Sequence, residues 1–134
     1  MSPEVLVLDA SVGVKWLRRE PGSDEARELL AQHAEGVVCV VVPVIFVHEV
    51  LDVTRRLYGV ARACGLWERL EHDEITVVGL DSRLVRETLD MAEVLGCTFY
   101  DAAAPALATR VGAVLVSADR RAHGAVERVR LLGR

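Results

Sequence analysis

The sequence predicts an α/β fold, a three-layer α/β/α sandwich around a parallel sheet, and three observations predict it. Short apolar runs recur along the chain without the alternation of a half-exposed strand, which is the pattern of strands covered on both faces. Between them lie longer stretches with apolar residues at helical spacing, so strands and helices alternate. The 134 residues are 51% hydrophobic and 27% charged, enough for a packed core and too few for two ordinary domains. One domain over residues 1–134 is expected.

Residues 5–8 (VLVL) are too few for a helix and read as a buried strand ended by Asp9. A short helical segment from Ala10 through Trp16 and Leu17 follows. Pro21 and Gly22 punctuate, and Ser23 is placed to cap a second helix with Ala26, Leu29 and Leu30 facing inward. The β-branched run 37–42 is a second strand, and Pro43 suits the first turn of a third helix, where a missing N–H is not needed. That helix, about 44–58, has Phe46, Val50, Val53 and Leu57 at helical spacing and stops at Gly59. A helix over 61–71 and a strand at 75–78 come next. Asp81 or Ser82 caps a helix with Leu84, Val85, Leu89, Ala92 and Leu95 inward, closed by Gly96. A helix over 100–111 closed by Gly112, a strand at 113–116, a last helix and an edge strand at 129–132 complete the chain. Strand order cannot be read from these runs.

Composition removes several function classes. Lys+Arg 16 against Asp+Glu 20 gives a net charge of −4, which argues against holding nucleic acid by bulk charge alone. It leaves open a nuclease that meets its substrate through metal ions held by carboxylates. Cys39, Cys64 and Cys97 show no metal-ligand spacing and are odd in number, so a disulfide framework or zinc site is not expected. No apolar run is long enough for a membrane helix, and the first residues lack the basic stretch of a signal peptide. A cytoplasmic protein without a membrane partner is expected.

The chemistry-bearing residues are acids. Asp9 and Asp119 each follow an apolar strand, where a parallel sheet places its ligand site. Asp101 opens a helix, and Glu49 sits beside the apolar stripe of the third helix, one residue before Val50. Each has an ordinary explanation. Asp9 and Asp101 suit helix N-caps, Asp119 with Arg120 and Arg121 suits a capped surface turn, and Glu49 suits pairing with His48, Arg55 or Arg56. If the four meet, like charges raise one another's pKa and a cation resolves the conflict. A hard divalent ion, Mg²⁺ or Mn²⁺, fits an all-oxygen set better than zinc does. Such an ion activates water, stabilises a leaving phosphodiester oxygen and neutralises phosphate, so that an acidic protein can act on RNA.

The segments Val7-Leu8-Asp9-Ala10-Ser11-Val12, Val47-His48-Glu49-Val50, Thr98-Phe99-Tyr100-Asp101-Ala102 and Leu115-Val116-Ser117-Ala118-Asp119 resemble, in order and spacing, the PIN-domain ribonucleases. The resemblance spans nearly the whole chain and is nearest to the VapC toxins of toxin–antitoxin pairs. It implies a parallel five-stranded sheet, Mg²⁺ or Mn²⁺ at Asp9, Glu49, Asp101 and Asp119, endoribonuclease activity, a homodimer, and a small VapB-type antitoxin as partner. It also suggests Ser117 as a hydroxyl that steadies the metal site. Ser11 stands in the same relation to Asp9, two residues away; an ordinary turn or cap serine is the other reading of both.

Two positions depart from the family's pattern. Asp52 stands where many relatives carry Asn, and either adds a fifth carboxylate or faces Arg55 and Arg56; the surface role is favoured. Pro105 has no N–H for the carbonyl of Asp101, four residues back, and should loosen that first turn. Arg120 and Arg121 are candidates for RNA phosphate contact or a solvated helix start. Trp16 and Trp67 read as core or dimer contacts, and His48 as a weak general-base candidate. A haloacid-dehalogenase-like phosphatase is disfavoured by Ser11 at its second-acid position, and a phospho-receiver domain by Lys15 as sole lysine. The remaining rival is a catalytically silent PIN-type scaffold that binds RNA or a protein. The high hydrophobic fraction motivates cover by a second copy and an antitoxin segment.

Overall fold

A computed structural model describes residues 2–133. The element order is β1 (Glu4–Leu8), α1 (Ala10–Val14), α2 (Ser23–Ala34), β2 (Val38–Pro43), α3 (Val44–Tyr58), α4 (Val60–His72), β3 (Thr76–Val78), α5 (Ser82–Leu95), α6 (Phe99–Val111), β4 (Val114–Ser117), α7 (Arg120–His123) and β5 (Val129–Leu131). The expected α/β/α sandwich is present. Five strands form one parallel sheet in the order β3-β2-β1-β4-β5. Chain order runs outward from β1 to β3 on one side and from β4 to β5 on the other. The direction therefore reverses between β1 and β4, whose register pairs Leu8 with Val116.

Alternate residues of each central strand feed two separate cores. Leu6, Leu8, Val38, Val40, Val42 and Val116 face α1 to α4, where they pack with Val12, Leu29, Phe46, Val50 and Leu70. Val7, Val41 and Leu115 face α5 and α6, where they meet Leu84, Ala104 and Leu107. Both faces of the three central strands are largely buried, which explains their unalternating apolar runs. Helix α6 is buried from Ala102 through Ala108; its run of alanines lets the helix lie close on the sheet.

Several boundaries and faces differ from expectation. Gly22, not Ser23, is the N-cap of α2, with φ 88°. The Ser23 hydroxyl is spent on the preceding loop, donating to Arg18 O at 2.9 Å and accepting from Glu20 N at 3.0 Å. Pro43 ends β2, pairing with Val78, and is the N-cap of α3 rather than part of its first turn. The buried stripe of α3 is Phe46, Val50 and Thr54, and Leu57 is exposed. In α5 it is Leu84 and Thr88, with Leu89 exposed. Both threonines hide their hydroxyls by donating to the carbonyl four residues back, each at 2.7 Å. The Trp16 indole donates to Ala26 O at 2.9 Å and packs edge-on to Phe46, a core role.

Helix α1 crosses α3 at close range through Gly13. A Cβ there would stand 2.6 Å from Val50 Cγ2 and 2.8 Å from the Phe46 ring. Gly13→Ala must push α1 off α3 or displace two buried side chains. The expected loss is about 1–3 kcal/mol, read as a lower midpoint of urea unfolding at unchanged slope.

Candidate active site

The rim beyond the carboxyl ends of β1 and β4 is the switch point of the sheet, where open α/β folds bind ligands. Asp9 is the first residue past β1, and its N–H donates to Val116 O across the strand pair at 3.0 Å. It is the N-cap of α1, accepting from Ser11 N at 3.0 Å and from the Ser11 hydroxyl at 2.6 Å, both on Oδ2. Asp119 follows β4 and caps α7, accepting from Ala122 N on Oδ1 at 3.0 Å. Capping thus occupies one oxygen of each carboxylate and holds its side chain in place. Asp9 Oδ1 and Asp119 Oδ2 have no hydrogen bond among the described residues.

Asp101 is not a helix cap. Thr98 caps α6, its hydroxyl accepting from Asp101 N at 3.0 Å, and Asp101 lies inside the first turn. Glu49 lies in α3 and does not pair with His48, Arg55 or Arg56; those arginines hold Asp52, at 2.9 and 3.1 Å. The Arg55 hydrogen bond, helped by the charge of Arg56, holds the Asp52 carboxyl below its ordinary range. Asp52 therefore belongs to a solvated ion pair.

Electrostatics ties the acids together. Glu49 is exposed by surface area, yet partial burial of its carboxylate raises its pKa, and the charges of Asp9 and Asp101 raise it further. Burial likewise pushes the Cys97 thiol up, followed by the charges of Asp101 and Asp119. Among the described residues no ion pair reaches Asp9, Glu49, Asp101 or Asp119. A patch of like charges with no basic partner is electrostatically unfavourable as it stands. Among the same residues, no group of three or more His, Cys, Asp or Glu side chains is set at metal-holding distances. The acids share a rim without forming a finished ligand shell.

Hydroxyls and one imidazole tie the rim together from beneath. Ser11 Oγ accepts from Ala118 N at 2.9 Å while donating to Asp9, so it joins the two strand ends. Ser117, fully buried, accepts from Asp119 N at 3.0 Å and meets His123 Nδ1 at 2.6 Å. The other nitrogen of the buried His123 donates to the carbonyl of Asp101 at 2.6 Å. Sequence reading missed His123, a lone histidine in a basic run. The available signal was Pro105, which leaves the Asp101 carbonyl in want of a donor. His48 is exposed and lines an apolar recess with Pro43, Leu80 and Tyr100.

Fold and rim define an α/β domain with an acidic switch-point site whose four acids make no ion pair among the described residues. The chain belongs to the PIN domain family: the family's sequence model matches residues 6–128, a span that contains all of these acids. No curated protein sequence matches the chain. Solved structures share its fold at low identity. A toxin–antitoxin complex from Klebsiella pneumoniae is 12% identical with a TM-score of 0.72, covering 93% of this chain and 95% of that one. The DNA-bound VapBC of Salmonella typhimurium is 16% identical with a TM-score of 0.72, covering 96% of each. VapC20 of Mycobacterium tuberculosis, described as a sarcin–ricin loop cleaving toxin, is 15% identical with a TM-score of 0.69, covering 93% and 98%. Among the described residues no helix is long and apolar enough to cross a membrane.

Proposed function

We propose that the chain is a Mg²⁺- or Mn²⁺-dependent endoribonuclease acting as the toxin of a type II toxin–antitoxin pair in the cytoplasm, with residues 1–134 working as one PIN-like domain. Asp9, Asp101 and Asp119 would hold the ion directly, and Glu49 would complete the cluster as ligand or by orienting the attacking water. The observation that carries this reading is a rim where Asp9 and Asp119 each keep one carboxylate oxygen without a hydrogen bond and where, among the described residues, no arginine or lysine pairs with the four acids; burial and the charges of Asp9 and Asp101 raise the Glu49 carboxyl there. An all-carboxylate set of hard oxygens suits Mg²⁺ or Mn²⁺. When bound, such an ion lowers the pKa of water and stabilises the departing oxygen of a phosphodiester.

The chain's own residues supply the rest. The caps on α1 and α7 keep one oxygen of Asp9 and of Asp119 occupied by backbone N–H groups and leave the other for a ligand. The Ser11 hydroxyl limits the rotation of the Asp9 carboxylate, and Ser117 holds the backbone N–H of Asp119. Water adds to phosphorus, one P–O ester bond breaks, and the products are a phosphomonoester end and a hydroxyl end. Arg120 and Arg121, exposed beside Asp119, are available to phosphates flanking the cut. A small VapB-type antitoxin and a second copy of the chain are the proposed protein partners. Exposed Leu57, Val60, Leu80, Leu89 and Val94 are apolar surface for them to cover.

Purified protein incubated with RNA is expected to cleave internally with Mg²⁺ or Mn²⁺ and to stop on chelation. RNA left intact with either ion would favour the silent scaffold instead. Asp52→Asn is expected to leave the cleavage rate within about twofold, since an exposed ion pair contributes little; a rate loss like that of the rim acids would make Asp52 a fifth ligand. Sedimentation is expected to give a dimer at micromolar concentration, and co-expression of a neighbouring small gene is expected to restore growth.

A further inference from the structure

The strongest unassigned feature is the buried His123, which joins two of the acidic elements through opposite ring nitrogens. A carbonyl only accepts, so Nε2 carries the proton given to Asp101 O at 2.6 Å. In the neutral ring Nδ1 then accepts, and the Ser117 hydroxyl at 2.6 Å donates to it. The Ser117 oxygen is left to accept from Asp119 N at 3.0 Å. Every donor in this chain has one acceptor, and the fully buried ring leaves no room for water to substitute.

Pro105 explains why a side chain is needed. In an uninterrupted helix the N–H of residue 105 would bond the carbonyl of Asp101, but proline has none and its ring crowds that carbonyl. The freed oxygen sits in the first turn of α6, at the residue whose carboxylate reaches the rim. His123, at the end of α7, is the donor that takes it. The bond links the backbone of Asp101 to the short helix that Asp119 caps.

We propose that His123 is a positioning residue for the acidic rim, fixing Asp101 relative to Asp119 by satisfying the carbonyl that Pro105 frees. This rests on the rim being the metal site, and the test separates the two ideas. Mn²⁺ binding to the metal-free protein is followed by the paramagnetic resonance signal of the free ion. His123→Phe keeps a ring in the cavity and removes both hydrogen bonds. It is expected to weaken Mn²⁺ binding by about tenfold or more, the size seen when partners of metal ligands are lost. Pro105→Ala returns an N–H to the Asp101 carbonyl; in the His123→Phe background it is expected to recover about threefold or more, and alone to change affinity less than about twofold. A packing role for the ring predicts no such rescue.

Parent-like Mn²⁺ affinity in His123→Phe, or no recovery in the double variant, overturns the proposal. If His123→Phe alone does not fold, Ser117→Ala breaks the same chain at Nδ1 with the imidazole still packed; its expected loss is again about tenfold, and parent-like binding overturns the proposal. A parent protein that binds no Mn²⁺ removes the metal site itself, an outcome visible in the first isotherm.

Discussion

Asp9→Asn is expected to slow Mn²⁺-dependent RNA cleavage by at least ~100-fold while leaving the chain folded. The substitution keeps the shape of the side chain, and its amide oxygen still accepts from Ser11 N, so the cap of α1 survives. What is lost is the charge that opposes Glu49 and that the proposed ion requires. The folded protein without metal should therefore be no less stable than the parent. Rates on a defined RNA with excess Mn²⁺, together with a melting curve of each protein, check both halves. Parent-like cleavage by Asp9→Asn defeats the mechanism, whatever its stability.

A second large effect concerns Glu49, pH and metal. Its folded-state pKa lies above the ordinary 4.5, from burial first and then the charges of Asp9 and Asp101. The folded state therefore binds this proton more tightly than the unfolded chain does. Stability from this group is full below the unfolded pKa and is lost as pH rises through the folded pKa. Near neutral pH the ionised carboxylate works against folding, so Glu49→Gln is expected to raise the melting temperature of the metal-free protein there. Below about pH 4 the two proteins should melt together. Adding Mn²⁺ reverses the order. At a hundred times its dissociation constant, an ion bound only by the folded state stabilises the parent by about 2.7 kcal/mol, and the glutamine variant, lacking one anionic ligand, should gain less. Melting curves at acid and neutral pH, with chelator and with Mn²⁺, check this. A Glu49→Gln variant that melts below the parent at neutral pH without metal would contradict the charge strain.

Much of the fold was legible because punctuation and periodicity agreed. Pro43 and Gly59 bracket α3, and the 44–58 bounds follow from them; Gly59, at φ 91°, ends α3 and also caps α4. The inward face of α3 was not legible, because Thr54 is polar in composition yet buries its hydroxyl on Val50 O. Thr88 does the same in α5. Ser23 looked like a cap, but glycine can take the left-handed cap geometry at 22 and the serine bonds elsewhere. Strand order, and with it the switch point between β1 and β4, depends on long-range pairing that no local run encodes.

The candidate acids were legible from position, since Asp9 and Asp119 follow buried strands. Their local partners were legible only in part. Ser11 and Ser117 stand two residues from the acids and bond as near neighbours in sequence do. His123 reaches Asp101 across 22 residues, and only the missing N–H at Pro105 hinted that some donor must come from afar.

The proposed mechanism requires that carboxylates just past β1, in α6 and in the β4–α7 turn share one divalent ion, with that of α3 beside it. Anomalous scattering from a crystal grown with Mn²⁺ tests it most directly. The expected result is a peak at the rim about 2.1 Å from oxygens of Asp9, Asp101 and Asp119. A crystal saturated with Mn²⁺ that shows no peak there, or one bound by other residues, would contradict it.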